Sequence, residues 1–277
     1  MDGNSFILTL LNLQGWGPAR IYKYLKKNSL NYEKCVKNLV NEFNEDEKIY
    51  FKKELVKSKI KIQNNKNAGI ECCNIFDSFF PEKLYNCGQK CLFLFYKGDI
   101  SLLNEKSITI IGTRNPTAPF IEQGIKATKY FAEKGYVIVS GLALGCDTIA
   151  HTECLLSGGK TIAVLPSPCN NIVPYSNNEL ANNIVKNGGL LISEYSVGEE
   201  ITKYNYAQRD RIQSLLSSVI LVIQASNDSG TMIAVKKHIM DKKFAYAITG
   251  NTLSLVNNFV DATDIEKLNE IENWILQ

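Results

Sequence analysis

Arginine is nearly missing from this 277-residue chain: of 31 basic residues, only Arg20, Arg114, Arg209 and Arg211 are not lysine. Histidine is scarcer still, with His151 and His238 far apart in sequence. No Ser/His/Asp set is suggested and no paired carboxylates for acid–base work are evident, so the residues read as a binding protein and not as an enzyme. Long apolar runs are lacking as well. "FILTLLNL" is too short to span a bilayer and no run of 18 apolar residues occurs elsewhere, so no membrane partner is expected. With no secretory leader or cleavage-like site, the eight cysteines are expected to be reduced, mostly buried thiols of a cytoplasmic protein. Cys72, Cys73, Cys87 and Cys91 come nearest to a cluster, but they lack C-x2-C pairs, and Cys146 and Cys154 sit in helix-like sequence. Neither a metal nor a cofactor is expected.

A strong charge of one sign is also absent. The net charge of +3 is too mild to announce a nucleic-acid binder, but its distribution is uneven. Residues 1–70 hold 13 Lys/Arg against 7 Asp/Glu, while the remainder is slightly acidic. A solvated helical surface accounts for that excess without invoking a partner.

What is present divides into three parts. Residues 1–66 read as helices, forming a small all-helical domain of helix-hairpin-helix or SAM-like type. Residues 67–250 carry short β-rich runs at 92–96, 107–112, 136–141, 161–165, 189–193, 219–223 and 244–248. Most are apolar on successive residues, as in parallel strands covered on both faces. Helical stretches at 120–134, 147–157, 177–187 and 230–240 lie between them. The alternation predicts an α/β fold, an extended Rossmann-like, doubly wound and mainly parallel sheet with its crevice at the strand C-termini. Residues 251–277 read as a short polar tail with one amphipathic helix, too short for a winged helix.

The strand ends carry the chemistry. After "ITIIG" come Gly112, Thr113 and Arg114; after "YVIVS" come Gly141, Gly145 and Asp147. "YNYAQRDRI" brings Tyr206, Arg209 and Arg211, and "NDSGTMIAV" brings Ser229, Gly230 and Thr231 at a helix start. The glycine spacing G-x-x-x-G is not the dinucleotide fingerprint. In a chain this lysine-rich, a retained arginine suggests a need for a planar, forked, permanently charged donor, as in bidentate phosphate binding, with stacking of a guanidinium or Tyr206 on a base. The purely structural alternative pairs these arginines with Asp147, Glu194 or Asp210 and has them brace loops. "GGKTIAVL" lacks the spacing of a P-loop and precedes a strand, which argues against ATP hydrolysis, although Lys160 could still reach a phosphate.

In order along the chain, "FPEKLYNC…LFLFYKGD", "ITIIGTRNPT", "GYVIVSGLALGCDTIAH", "GGKTIAVLPS", "VPYSNNEL", "GGLLISEY", "YAQRDRIQSLLSSVILVIQA" and "SGTMIAV" resemble the DNA-processing protein A family (DprA, also called Smf). The resemblance implies a single-stranded DNA-binding protein that forms a homodimer and helps a RecA-type recombinase assemble on the strand, notably during natural transformation. It matches Arg114 to the arginine of the G-[ST]-R motif and Arg209 and Arg211 to an R-N-R motif, and puts Tyr206 where Phe is usual. The middle Asn of that motif is here Asp210, which either faces the strand or salt-bridges Arg209. G-I-D appears as Gly145-Cys146-Asp147, and "SGTMIAV" loses a hydroxyl and a small residue.

On this reading Gly141 and Gly145 let backbone approach the strand's phosphates, and Asp147 caps N–H groups or holds an arginine. His151 reads as a satisfied helix histidine. "LQGWGPARI" resembles a helix-hairpin-helix turn, or else a packing turn plugged by Trp16. The rival reading is a nucleotide-binding sensor, or a relative of the LOG phosphoribohydrolases, whose signature glutamate would fall at Ala234 or Val235. A third is a scaffold that kept the fold and lost its ligand.

Overall fold

The computed structural model describes every residue except Cys87, Gln89 and Gln277. Four helices come first: α1 (Gly3–Asn12), α2 (Pro18–Lys27), α3 (Tyr32–Glu42) and α4 (Glu45–Asn67). Local chemistry sets their starts. Asp2 Oδ1 accepts from the Ser5 N–H at 2.9 Å, and Asn44 and Glu47 cap α4 reciprocally, each side chain accepting from the other's backbone at 2.9 Å. Glu45, Asp46 and Glu47 in its first turn complement the helix dipole.

Then follow β1 (Glu71–Asn74), β2 (Phe93–Gly98), β3 (Ser107–Ile111), α5 (Ala118–Glu133), β4 (Val137–Ser140), α6 (Cys146–Leu156), β5 (Thr161–Val164), α7 (Asn178–Lys186), β6 (Leu190–Ser193), α8 (Lys203–Leu216), β7 (Val219–Val222), α9 (Thr231–Met240), β8 (Phe244–Ile248), β9 (Asn258–Val260) and α10 (Ile265–Leu276). All nine strands join one sheet in the order β1-β2-β6-β5-β4-β3-β7-β8-β9. Every pairing from β6 to β9 is parallel, and β2 runs antiparallel to both β1 and β6. This is the extended Rossmann-like sheet anticipated from the apolar runs, each of which became a strand. β3 to β6 step outward in one direction, then the chain returns to lay β7 on the other side of β3. The strand order reverses between β3 and β7, which is where a doubly wound sheet opens its ligand crevice.

β4, β5, β6 and β7 are buried at every residue, as their unbroken apolar pattern requires. α5, α6 and α10 share one core with the sheet, through Phe131, Ala150 and Ile271, while α9 packs Met232 and Val235 into another. α8 sits against β3 through hydroxyls: Thr109 Oγ1 donates to the Gln213 carbonyl at 2.9 Å and Ser107 Oγ to that of Leu216 at 2.9 Å.

Two sequence expectations need revision. Residues 1–66 end where α4 ends, but Phe6, Leu10, Ile21 and Phe51 belong to the same apolar cluster as Leu94, Ile162 and Leu190 of the sheet. Asn65 Nδ2 also donates to Ser196 Oγ at 2.7 Å, fastening α4 to the loop after β6. Residues 251–277 are not a tail. β9 continues the sheet in register with β8, and α10 buries Leu268, Ile271 and Ile275, with Trp274 stacked on Phe244 at 3.7 Å between ring centroids. Residues 203–216, for which the sequence named no element, form a full helix, and α8 buries Asn205, Arg209, Arg211, Gln213 and Ser214 as well as Ile212, Leu215 and Leu216.

Candidate nucleic-acid interface

At the reversal point four segments wall a cleft of about 370 Å³. Gly112, Thr113 and Arg114 follow β3; Ala143 and Asp147 come from the turn between β4 and α6; Tyr206, Arg209, Asp210 and Gln213 come from α8; Ser229, Gly230 and Thr231 lead into α9. All four segments were singled out from sequence as polar stretches following predicted strands, and the crossover topology brings them together. Gly112 is required by space: a Cβ there would lie 2.5 Å from Cys146 Sγ and 2.8 Å from the Gln224 carbonyl. Thr231 Oγ1 donates to the Gly112 carbonyl at 3.1 Å, tying the start of α9 to the end of β3. Gly230 faces open space, so its missing side chain keeps the cleft mouth clear.

The turn between β4 and α6 has a different occupant from the one its glycines suggest. A Cβ on Gly141 would fall 1.1 Å from Arg209 Nη1, and one on Gly145 would fall 2.5 Å from the carbonyls of Thr113 and Arg114. Gly145 also needs its positive φ of 74°. These glycines therefore make room for a protein guanidinium and a neighbouring loop, not for a phosphate. Arg209 is 7% exposed, with Nη1 at 3.5 Å from Asp147 Oδ2 and Nε at 3.1 Å from Asp210 Oδ1. Asp147 also accepts from the Ala143 N–H at 3.3 Å, so it both caps the turn and holds the arginine. With its amide oriented to satisfy both neighbours, Gln213 donates to Asp210 at 3.2 Å and accepts from the Gly141 N–H at 2.9 Å. Burial pushes the pKa of both carboxylates up, and Arg209 opposes that shift at each. Arg114, by contrast, is exposed and has no ion pair or hydrogen bond among the described residues. The cleft thus presents one accessible guanidinium beside one buried guanidinium clamped between two carboxylates.

This geometry sits within a sequence match that decides the family. The model for DNA recombination-mediator protein A matches residues 71–259. The chain belongs to this family. It is similar to the DNA processing protein DprA of Bacillus subtilis, 33% identical over 187 residues, which cover 67% of this chain and 63% of that protein. DprA of Streptococcus pneumoniae is likewise 33% identical over 183 residues, and its crystal structure superposes with a TM-score of 0.77 at 25% identity, over 96% of this chain and 97% of that one. A Helicobacter pylori DprA structure, described for its single-stranded DNA binding mode, gives a TM-score of 0.60 at 28% identity over 74% of this chain and 94% of that one. The sequence alignments span just under two thirds of the curated relatives' length.

Membership makes the departures from the family pattern concrete. Asp210, at the position where the resemblance leads us to expect Asn, both lines the cleft and pairs with Arg209. Arg211 is directed elsewhere: its Nη2 meets both Glu194 oxygens at 2.6 Å and its Nε donates to Gln208 at 3.2 Å. For this residue the structural alternative holds, and it braces α8 against the end of β6. Lys160 precedes β5 and so stands at the N-terminal edge of the sheet, opposite the cleft, where its Nζ donates to the Asn187 carbonyl at 2.6 Å. His151 is fully buried with Nδ1 at 2.7 Å from Thr161 Oγ1, and desolvation lowers its pKa to about 3. Ala234 and Val235 are buried and apolar, leaving α9 without the carboxylate of the hydrolase reading. At the N-terminal turn Arg20 lies 4.5 Å above Trp16 and donates to the Gly15 carbonyl at 3.1 Å, as in a packing turn.

Gln213 and Ala143 were missed from sequence. Gln213 could have been found by its position, one helical turn after Asp210 on the same face. Seven of the cysteines are free thiols, six of them buried, and Cys87 lies outside the described residues. Among the described residues no helix is long and apolar enough to cross a membrane.

Proposed function

We propose that this protein binds single-stranded DNA across the C-terminal edge of its sheet and, as a homodimer in the cytoplasm, assists assembly of a RecA-type recombinase without itself catalysing a reaction. The observation that carries the proposal is Arg114: an exposed guanidinium, without an ion pair among the described residues, that lines the switch-point cleft together with Tyr206 in a chain of the recombination-mediator family. A guanidinium offers a forked donor to phosphate and Tyr206 an aromatic face to a base. The single-stranded DNA binding described for the Helicobacter pylori relative supports the same reading. Ser229, Gly230 and Thr231 add the start of α9, whose partial positive charge favours an anion.

The test is fluorescence anisotropy with labelled oligo-dT against a duplex of equal length over a salt series. Preferential single-strand binding should weaken steeply with salt, with a slope of roughly −0.7 per phosphate neutralised. Arg114→Ala should weaken it by about 1.5–3 kcal/mol, as for one charge-assisted contact. A flat salt response, or an unaltered variant, would sink the proposal.

A further inference from the structure

A second recess of about 70 Å³ adjoins the cleft, and the two share Arg114, Ala143, Tyr206 and Arg209. Its own walls differ in chemistry. Where the main cleft is lined by hydroxyls, carboxylates and a helix start, the recess adds Leu144, Val173 and Pro174. Leu144 remains 44% exposed, and Tyr175, next after Pro174, is 84% exposed. The loop that carries Val173, Pro174 and Tyr175 is anchored at Asn177. Asn177 Nδ2 donates to the Leu142 carbonyl at 2.9 Å and to Thr148 Oγ1 at 3.0 Å, pinning the 173–177 loop to the glycine turn. An exposed leucine at a recess that Arg114 also lines, with an exposed tyrosine next along the loop from Pro174, suits a ligand that is flat, apolar on its faces and attached to an anion.

We infer that the recess is a nucleobase seat: a strand with one nucleotide in the main cleft lays the base of its neighbour against Leu144, Pro174 and Tyr175, with Arg114 and Tyr206 at the boundary between the two. The inference rests on the single-stranded DNA reading above and adds to it a second base position. Because the contacts are with the faces of the base, the seat tolerates every base, and it excludes duplex DNA, whose bases are stacked and paired.

The experiment measures anisotropy of wild type, Tyr175→Ala, Tyr175→Phe and Leu144→Ala with oligo-dT and with an abasic oligonucleotide of the same length. Tyr175 is so exposed that truncation removes little packing, and thermal melts should confirm unchanged folding. Tyr175→Ala should weaken oligo-dT binding by about five- to thirtyfold, within what one stacked base contributes. It should leave abasic binding within about twofold, and Tyr175→Phe should restore the loss. If Tyr175→Ala and Leu144→Ala bind oligo-dT like wild type while Arg114→Ala does not, the seat is refuted and the binding reading stands. Equal loss on both oligonucleotides also refutes it, since the ring would then serve the backbone. A wild type that binds neither strand removes the binding reading, and the seat with it.

Discussion

Asp210 brings a negative charge to the wall of the cleft. Its carboxylate pairs with Arg209 Nε at 3.1 Å and, with Asp147, surrounds that guanidinium with one half-buried and one buried acid. A phosphate brought to the cleft meets this negative charge, so Asp210→Asn should tighten single-strand binding by roughly 1 kcal/mol, about fivefold in Kd, as for one partly screened charge. The same pair predicts a pH dependence. Burial raises both carboxylate pKa values above the usual aspartate range, so protonation is favoured as pH falls, and the stabilisation that protonation brings is lost as pH rises through the folded-state values. An incoming anion raises them further, so binding favours the protonated form and affinity should rise as pH falls toward the folded-state values. Neither histidine confuses the measurement, since burial lowers His151 to about 3 and His238 to about 4. Titrations at several pH values should show the effect in wild type and a diminished one in Asp210→Asn; a pH-independent wild type would exclude it. Which arginines mattered was only partly legible. Arg114 stood where the sequence placed it, but nothing local told Arg209 from Arg211, two residues apart on one helix, because a helix turns them about 200° from each other.

At the scale of elements, the β4–α6 turn and α8 form one unit. The turn is glycine-rich so that α8 can insert Arg209 above it, and Leu142 in that turn adopts a positive φ of 58° with its side chain fully buried. Gly141→Ala would put a methyl into the guanidinium, displace Arg209 and leave Asp147 buried without its partner. That should lower stability by about 3 kcal/mol or more, the scale for a broken buried pair. Chemical denaturation would measure the loss, and an unchanged midpoint would show that the turn yields freely. The strands were legible because unbroken apolar runs have few other stable placements. α8 was not, because its apolar buried residues, Ile212, Leu215 and Leu216, crowd at its end while the rest of its buried face is arginine, glutamine, asparagine and serine, whose burial depends on partners elsewhere in the chain.

For the molecule as a whole, the last 27 residues complete the sheet. Removing 251–277 would strip β9 from β8 and expose the apolar surface under Leu268, Ile271 and Ile275. It would also break the contacts of Glu272 with Tyr136 at 3.0 Å and Lys134 at 2.6 Å. A chain ending at residue 250 should therefore be recovered aggregated or with its thermal transition lowered by many degrees, as expected for loss of three large buried side chains. A soluble fragment with the wild-type transition would contradict this.

The sequence by itself determined the fold class, seven of the nine strands and the segments that meet at the cleft, because strand periodicity and glycine-bearing strand ends are local properties. Only the tertiary structure decided what fills the glycine turn, which arginine is accessible, which braces a loop, and that the C-terminal segment belongs to the sheet. Those outcomes depend on strand order and on α8 lying across β3, and so on contacts between segments that are separate in sequence, from Glu194 with Arg211 to Thr109 with Gln213.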